Sequence, residues 1–183
     1  VITYMTWSRY GKTAHDLTVP ALSQQMSEAM DLFDQLTGIK DEVPHPALEM
    51  WRGYEFALGI YGMMLNIEWT FERGFANHDC FKFFSRALKE MQNDDPDFFY
   101  EPPPWLRDRA VFLSHRSNLT RRKLTDTSWK TTPKNWPYIW PRIDETREEG
   151  YSLWLSKSDK MMVKEGKRSR PDKEVLDRIV NWP

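Results

Sequence analysis

The chain has 183 residues, 40% of them apolar, with 26 Lys/Arg against 27 Asp/Glu and a formal net charge of −1. That balance excludes a disordered or fibrous chain, and the length suits one domain with a real core. No apolar run approaches the roughly 18 residues of a membrane-spanning helix, so no membrane association is expected.

In chain order, Val1 to Tyr10 is mixed in character and is expected to run extended before Gly11. It has no long apolar core and no small-residue cleavage site, so no secretory signal is expected. Thr18 and Pro20 predict a helix start, a capping hydroxyl followed by proline in the first turn. Leu22, Met26, Ala29, Phe33 and Leu36 follow at spacings of one apolar helical face, and Gly38 suits its stop. Glu28 lies off that face with Gln24, Asp31 and Gln35. His45-Pro46 predicts a second helix that runs to Arg73, with Gly74 as its stop and Leu48, Trp51, Leu58, Leu65 and Trp69 as its buried stripe. Gly53, Gly59 and Gly62 weaken it intrinsically and point to close helix packing. A third helix carries Phe81, Phe84, Leu88 and Met91 and is capped by Asn77 or Asp79. After a loop over 93–104, a fourth runs from Trp105 to about Arg122, with Arg109, Arg116 and Arg121 along one exposed side.

Trp136-Pro137-Tyr138-Ile139-Trp140-Pro141 is too proline-rich for a helix and reads as an extended aromatic segment across the helices. Lys164 to Arg170 reads as an exposed basic linker, and Asp172 to Val180 as a last short helix. The expected fold is all-α: a compact single-domain helical bundle over 1–142, with the extended aromatic segment, and a charged C-terminal helical extension over 143–183.

Charge is uneven. Residues 26–104 hold six Lys/Arg against fifteen Asp/Glu, whereas 105–142 hold nine against two. The basic block is interleaved with Trp105, Trp129, Trp136, Tyr138 and Trp140, a pairing of phosphate attraction with base-stacking surfaces. A solvated face beside a Trp-rich core explains the same pattern.

Nucleotide and metalloprotease signatures are absent: there is no GxxxxGK[ST], GxGxxG or HExxH. His78-Asp79-Cys80 is too local to converge on one metal, so no metal and no cofactor are expected. The single cysteine, Cys80, cannot form an intramolecular disulfide and suits a reducing compartment; beside Phe81 and Phe83 it reads as core rather than nucleophile.

Several blocks carry a resemblance. They are Glu28-Ala29-Met30 with Leu36-Thr37-Gly38, and His45-Pro46-Ala47 with Met50-Trp51-Arg52-Gly53-Tyr54-Glu55 and Ala57-Leu58. Tyr61-Gly62, Glu68-Trp69, Arg73-Gly74-Phe75, Pro104-Trp105-Leu106, Ser114-His115-Arg116-Ser117 and Trp136 to Pro141 continue the series. In order and spacing, over roughly 1–142, the chain resembles bacterial and phage proteins grouped with the pyrimidine-dimer DNA glycosylases of the endonuclease V type. The resemblance implies a helical enzyme that cuts the N-glycosidic bond of a damaged or modified pyrimidine in double-stranded DNA. It implies an α-amine nucleophile at Val1 that forms an imine, assistance from Glu28, and β-elimination that nicks the strand. An α-amine with a pKa of about 7.7–8.0 is partly neutral at physiological pH and suits that chemistry. The family's usual basic stretch before this glutamate is replaced here by Pro20 to Met26, without a positive charge.

Candidate DNA contacts are Arg52, His45, His115, Arg116, Ser117, Arg121, Arg122, Lys123, Trp136 and Trp140. Arg52 either contacts phosphate or pairs with Glu49, Glu55 or Asp41. His45 either caps its helix or lines the site. Trp136 and Trp140 either close the core or stack on bases. A monomer acting in the cytoplasm, on the nucleoid or in an infected host cell, is the expectation that follows. The alternatives are a non-catalytic DNA-binding protein of the same fold and a protein-interaction module using the acidic half.

Overall fold

The computed structural model describes residues 3–76, 79–95 and 97–182. Val1, Asn77 and His78, singled out above, lie outside the described residues. Eight helices are described: α1 (Tyr10–His15), α2 (Val19–Leu36), α3 (Pro46–Trp51), α4 (Glu55–Ile67), α5 (Asp79–Asp94), α6 (Arg109–Arg122), α7 (Lys157–Lys164) and α8 (Lys173–Arg178). Two strands, β1 (Trp140–Ile143) and β2 (Tyr151–Trp154), pair antiparallel with Trp140 opposite Trp154. The fold is mostly helical, and the small sheet corrects the all-α expectation. Both strands are edges, which is why Pro141 is tolerated inside β1. The pairing spans position 142/143 of the chain. No helix among the described residues is long and apolar enough to cross a membrane.

The expected helix over 46–73 is broken. Arg52 turns to an extended conformation and Gly53 takes φ +78°, so α3 stops at Trp51 and α4 restarts at Glu55. Glycine adopts that left-handed conformation without the Cβ clash other residues meet. Beyond α4 the chain adds a π-helical turn over Glu68–Glu72. Gly59 and Gly62 do serve close packing. A Cβ on Gly62 would lie 2.0 Å from Phe84 Cε2, and one on Gly59 would lie 2.5 Å from Leu88 Cδ2. Glycine costs about 1 kcal/mol per helical position relative to alanine. Burying a Phe or Leu against it returns about 1.5–3 kcal/mol, so packing wins.

The Thr18 hydroxyl makes no capping bond, although Thr18 occupies the N-cap position of α2. Residues 3–9, where an extended run was expected, carry no strand, and α1, which was not anticipated, follows from Tyr10. The fourth helix begins as a 3-10 turn over Pro104–Arg107 and restarts at Arg109, with the Asp108 side chain accepting from the Ala110 N–H.

The main core is formed by α1–α5 and Trp105, around Trp51, Tyr61, Met26 and Phe84. A second core, built by Ala110, Val111 and Leu113 with Trp136, Ile139, Leu153, Leu155, Leu176 and Ile179, lies on the other side of α6. Helix α6 is thus enclosed from both sides, and this decides the fate of its polar residues.

Candidate active site

Residues 3–6 have no strand partner, so their polar backbone groups must be met in another way. Side chains meet them. Tyr4 N–H donates to Gln25 Oε1 (2.9 Å) and Met5 N–H to His115 Nδ1 (2.9 Å). The Tyr61 hydroxyl lies 3.1 Å from the Tyr4 carbonyl, and Arg116 Nε donates to the Thr6 carbonyl (2.9 Å). Trp51 Nε1–H donates to Thr3 Oγ1 (2.8 Å). Helices α2, α3, α4 and α6 therefore pin one short segment between them.

Glu28 stands beside that segment, half-buried. Its Oε1 accepts from Gln24 Nε2 (2.7 Å) and its Oε2 from Gln25 Nε2 (2.9 Å). The orientation of the Gln25 amide is dictated: its oxygen already accepts from Tyr4 N–H and lies 3.0 Å from the Tyr61 hydroxyl, which leaves the NH2 for Glu28. A run of hydrogen bonds thus links the N-terminal segment to the carboxylate.

An aromatic wall adjoins it. Tyr138 stacks on Trp140 with ring centroids 5.4 Å apart, and His115 and His45 meet Trp140 edge-on at 5.4 and 5.9 Å. The hydroxyls of Tyr4 and Tyr138 are 3.1 Å apart, and Arg122 Nη1 donates to Tyr4 Oη at 2.6 Å. Burial and then the neighbouring Tyr138 push the Tyr4 phenol above its usual value, which keeps it protonated. His45 caps α3, its Nδ1 accepting from the Ala47 N–H (3.0 Å), and it also lines a pocket of about 300 Å³ with Pro46, Trp140, Arg142 and Trp154. Burial holds the His45 imidazole below its ordinary value, against the opposing effect of the Glu28 carboxylate.

The structure brings Glu28, His45, Trp140 and Arg122 to one region. The other candidate residues are placed differently. Arg52 is held by Glu42 (3.0 and 2.8 Å) and Glu49 (3.0 Å). His115 and Ser117 are buried, and Ser117 Oγ accepts from the Trp136 N–H (2.7 Å). Ser114 Oγ accepts from the Ile139 N–H (2.9 Å), so the Ser114–Ser117 block pins residues 3–6 on one side and 136–139 on the other. Arg116 is buried rather than lining an exposed side, and its guanidinium lies 3.8 Å from the Trp7 ring centroid. Arg121 is half-buried and bonds the Trp136 carbonyl and Asn118. Lys123 is exposed and ends α6 in a left-handed conformation, φ 56°. Trp136 is buried in the second core.

Sequence reasoning gave no site role to Tyr4, Gln24, Gln25 or Tyr61. Gln24 and Gln25 were findable, since they precede Glu28 by four and three residues on one helix. Tyr4 and Tyr61 carry no such signal. Among the described residues no three His, Cys, Asp or Glu side chains gather as a metal site. The Cys80 thiol is buried in the core and pushed up to about 12 by desolvation, which makes it a poor nucleophile.

A fixed carboxylate beside a pinned chain segment and an aromatic pocket is the kind of site that stabilises developing positive charge next to a flat ring. The family model described as pyrimidine dimer DNA glycosylase matches residues 5–83, the stretch that carries Glu28, Gln25, His45 and Tyr61. That stretch is similar to those glycosylases; α6, the sheet and the C-terminal helices fall outside the match. No curated protein and no solved structure matches the chain.

Proposed function

We propose that the protein is a DNA glycosylase that removes a pyrimidine lesion from double-stranded DNA and then nicks the strand by β-elimination. The observation that carries this reading is the Glu28 carboxylate, fixed by Gln24 and Gln25 next to the pinned segment 3–6. The family likeness of residues 5–83 supports it. The attacking group in this reading is the amine of Val1, two residues before Thr3.

The amine nitrogen bonds to sugar C1′ as the C1′–N bond to the base breaks. The base leaves with that electron pair and takes a proton from solvent. Glu28 stabilises the positive charge on the sugar and accepts the proton that the nitrogen loses. The nitrogen lone pair then opens the sugar ring at O4′, which takes a proton, and an imine results. The base must leave the stack first, and the pocket lined by His45, Trp140 and Trp154 is an aromatic-walled space for a displaced base.

The test is borohydride trapping on a duplex that carries a cyclobutane pyrimidine dimer. A covalent protein–DNA adduct is expected with the wild type, and at least ~100-fold slower turnover with Glu28→Gln. An adduct that survives acetylation of the terminal amine overturns the assignment of Val1. The second reading is a DNA-binding protein without catalysis. It is favoured by residues 19–27 of α2, which place no positive charge ahead of Glu28. Salt-dependent duplex binding with no adduct on any pyrimidine lesion would select it.

A further inference from the structure

A cavity of about 350 Å³ lies between the C-terminal half of α6 and the segment 127–135, lined among others by Thr120, Arg121, Trp129, Thr132 and Lys134. No Asp or Glu lines it. Two of its lining residues carry a buried polar atom with no hydrogen-bond partner, Trp129 Nε1 and Thr132 Oγ1. A third, Arg168 Nε, belongs to a guanidinium that bonds the lining residue Asn135 through Nη1 (3.2 Å). Buried polar groups are almost always paired, so two such atoms on residues of one cavity, with a third on the guanidinium bonded to its Asn135, call for an explanation.

The inventory of groups defines the ligand. An indole N–H, a guanidinium and an ammonium donate and never accept, and a threonine hydroxyl can donate. Arg121, Arg122 and Arg168 are also crowded: burial and then the charge of Arg168 hold the Arg121 guanidinium below its usual value. Asp159 acts on Arg121 in the opposite sense, as one carboxylate among several cations. A donor-rich, cation-crowded cavity fits an acceptor-rich anion.

We propose that this cavity binds a phosphodiester of the nucleic-acid backbone, with Trp129, Thr132 and Lys134 as its donors. The choice of a backbone phosphate over a free one rests on the glycosylase reading above. The site lies in the 105–142 block, outside the region that matches the family. It would add a phosphate contact that the uncharged start of α2 does not supply. Each neutralised phosphate releases counterions, so the site has a signature in the salt dependence of binding.

The experiment measures binding of an undamaged duplex against salt for the wild type, Trp129→Phe, Thr132→Val and Lys134→Gln. Trp129→Phe keeps a ring and removes the N–H; Thr132→Val keeps the shape and removes the hydroxyl. Lys134→Gln is expected to lower the slope of log affinity on log salt by about 1. The two uncharged variants are expected to weaken binding several-fold with the slope little changed. Thermal shift with inorganic phosphate forms the second arm, with a rise expected for the wild type and a smaller one for each variant. Wild-type-like duplex binding by all three variants would overturn the proposal. A phosphate-dependent shift without duplex binding would overturn the assignment to a phosphodiester and leave a site for a small anion. No effect in either arm overturns the anion site altogether. Because the duplex is undamaged and no turnover is read, failure of borohydride trapping would reject the glycosylase chemistry alone.

Discussion

Gln25 Nε2 lies 2.9 Å from Glu28 Oε2, less than one turn along α2, while Gln25 Oε1 accepts the backbone N–H of Tyr4. One amide thereby couples the position of the N-terminal segment to the direction of the carboxylate. Replacing Gln25 by Leu removes both bonds and leaves a buried N–H of Tyr4 unpaired. Gln25→Leu is expected to lower kcat about 10-fold or more at saturating DNA with KM little changed, and to cost about 1–3 kcal/mol of stability. Gln25→Glu provides a control: it retains an acceptor for Tyr4 but sets a second carboxylate against Glu28. Steady-state kinetics and urea unfolding of both variants check this.

His115 predicts a pH effect on stability. It is fully buried, its Nδ1 accepts from the Met5 N–H, and desolvation pushes its pKa from 6.5 down to about 3. The unfolded chain therefore binds a proton below about pH 6.5 that the folded chain refuses. Stability is fully present above that value and declines as the pH falls toward about 3, by about 1.4 kcal/mol per pH unit from this group. Between pH 6.5 and pH 5 the wild type is expected to lose roughly 2 kcal/mol more than His115→Gln. Urea denaturation at the two pH values measures the difference, and equal losses would contradict the burial of a neutral imidazole.

Arg122 and Arg52 make a matched pair for DNA affinity. The Arg122 side chain reaches the Tyr4 hydroxyl at the end of α6, whereas Arg52 is bound by Glu42 and Glu49. Arg122→Gln is expected to weaken duplex binding and reduce the salt slope by about 1. Arg52→Gln, whose charge is already offset by two carboxylates, is expected to leave the slope unchanged. Binding titrations from low to physiological salt separate the two.

Gly62 tests the packing of α4 on α5. An added methyl would fall 2.0 Å from the Phe84 ring, and Phe84 is fully buried with Phe33 and Phe83 against it. Gly62→Ala is expected to destabilise by about 1–3 kcal/mol despite alanine's better helix propensity. Gly62→Ala combined with Phe84→Leu is expected to recover part of that loss, as urea midpoints would show.

The helices with one apolar stripe were legible from residue order alone. Leu22, Met26, Ala29 and Phe33 announce α2, Pro46 marks the start of α3, and Phe84 and Leu88 mark α5, because a period near 3.6 is a local property. Glu28 stood out only through the family resemblance, since a carboxylate on a polar face looks the same whether it is solvated or held. The turn at Arg52–Gly53 was hidden, because a glycine inside a periodic run reads equally as a packing site or a break. Strands β1 and β2 were hidden because each is four residues long and exists only through its partner.

The amino-acid order by itself determined that the stretches of α2, α5, α6 and α8 are helical and which face of α2 is apolar, for those patterns follow from backbone geometry within a few residues, whereas α1 and α7 were not anticipated. Tertiary structure alone decided what the polar residues of α6 do. Ser114, His115, Ser117 and Asn118 would face solvent or phosphate on a helix with one buried side. Enclosed between two cores, they spend their hydrogen bonds on the segments around Met5 and Trp136–Ile139, because a buried backbone amide must find a partner and a helix packed on both sides is the nearest source.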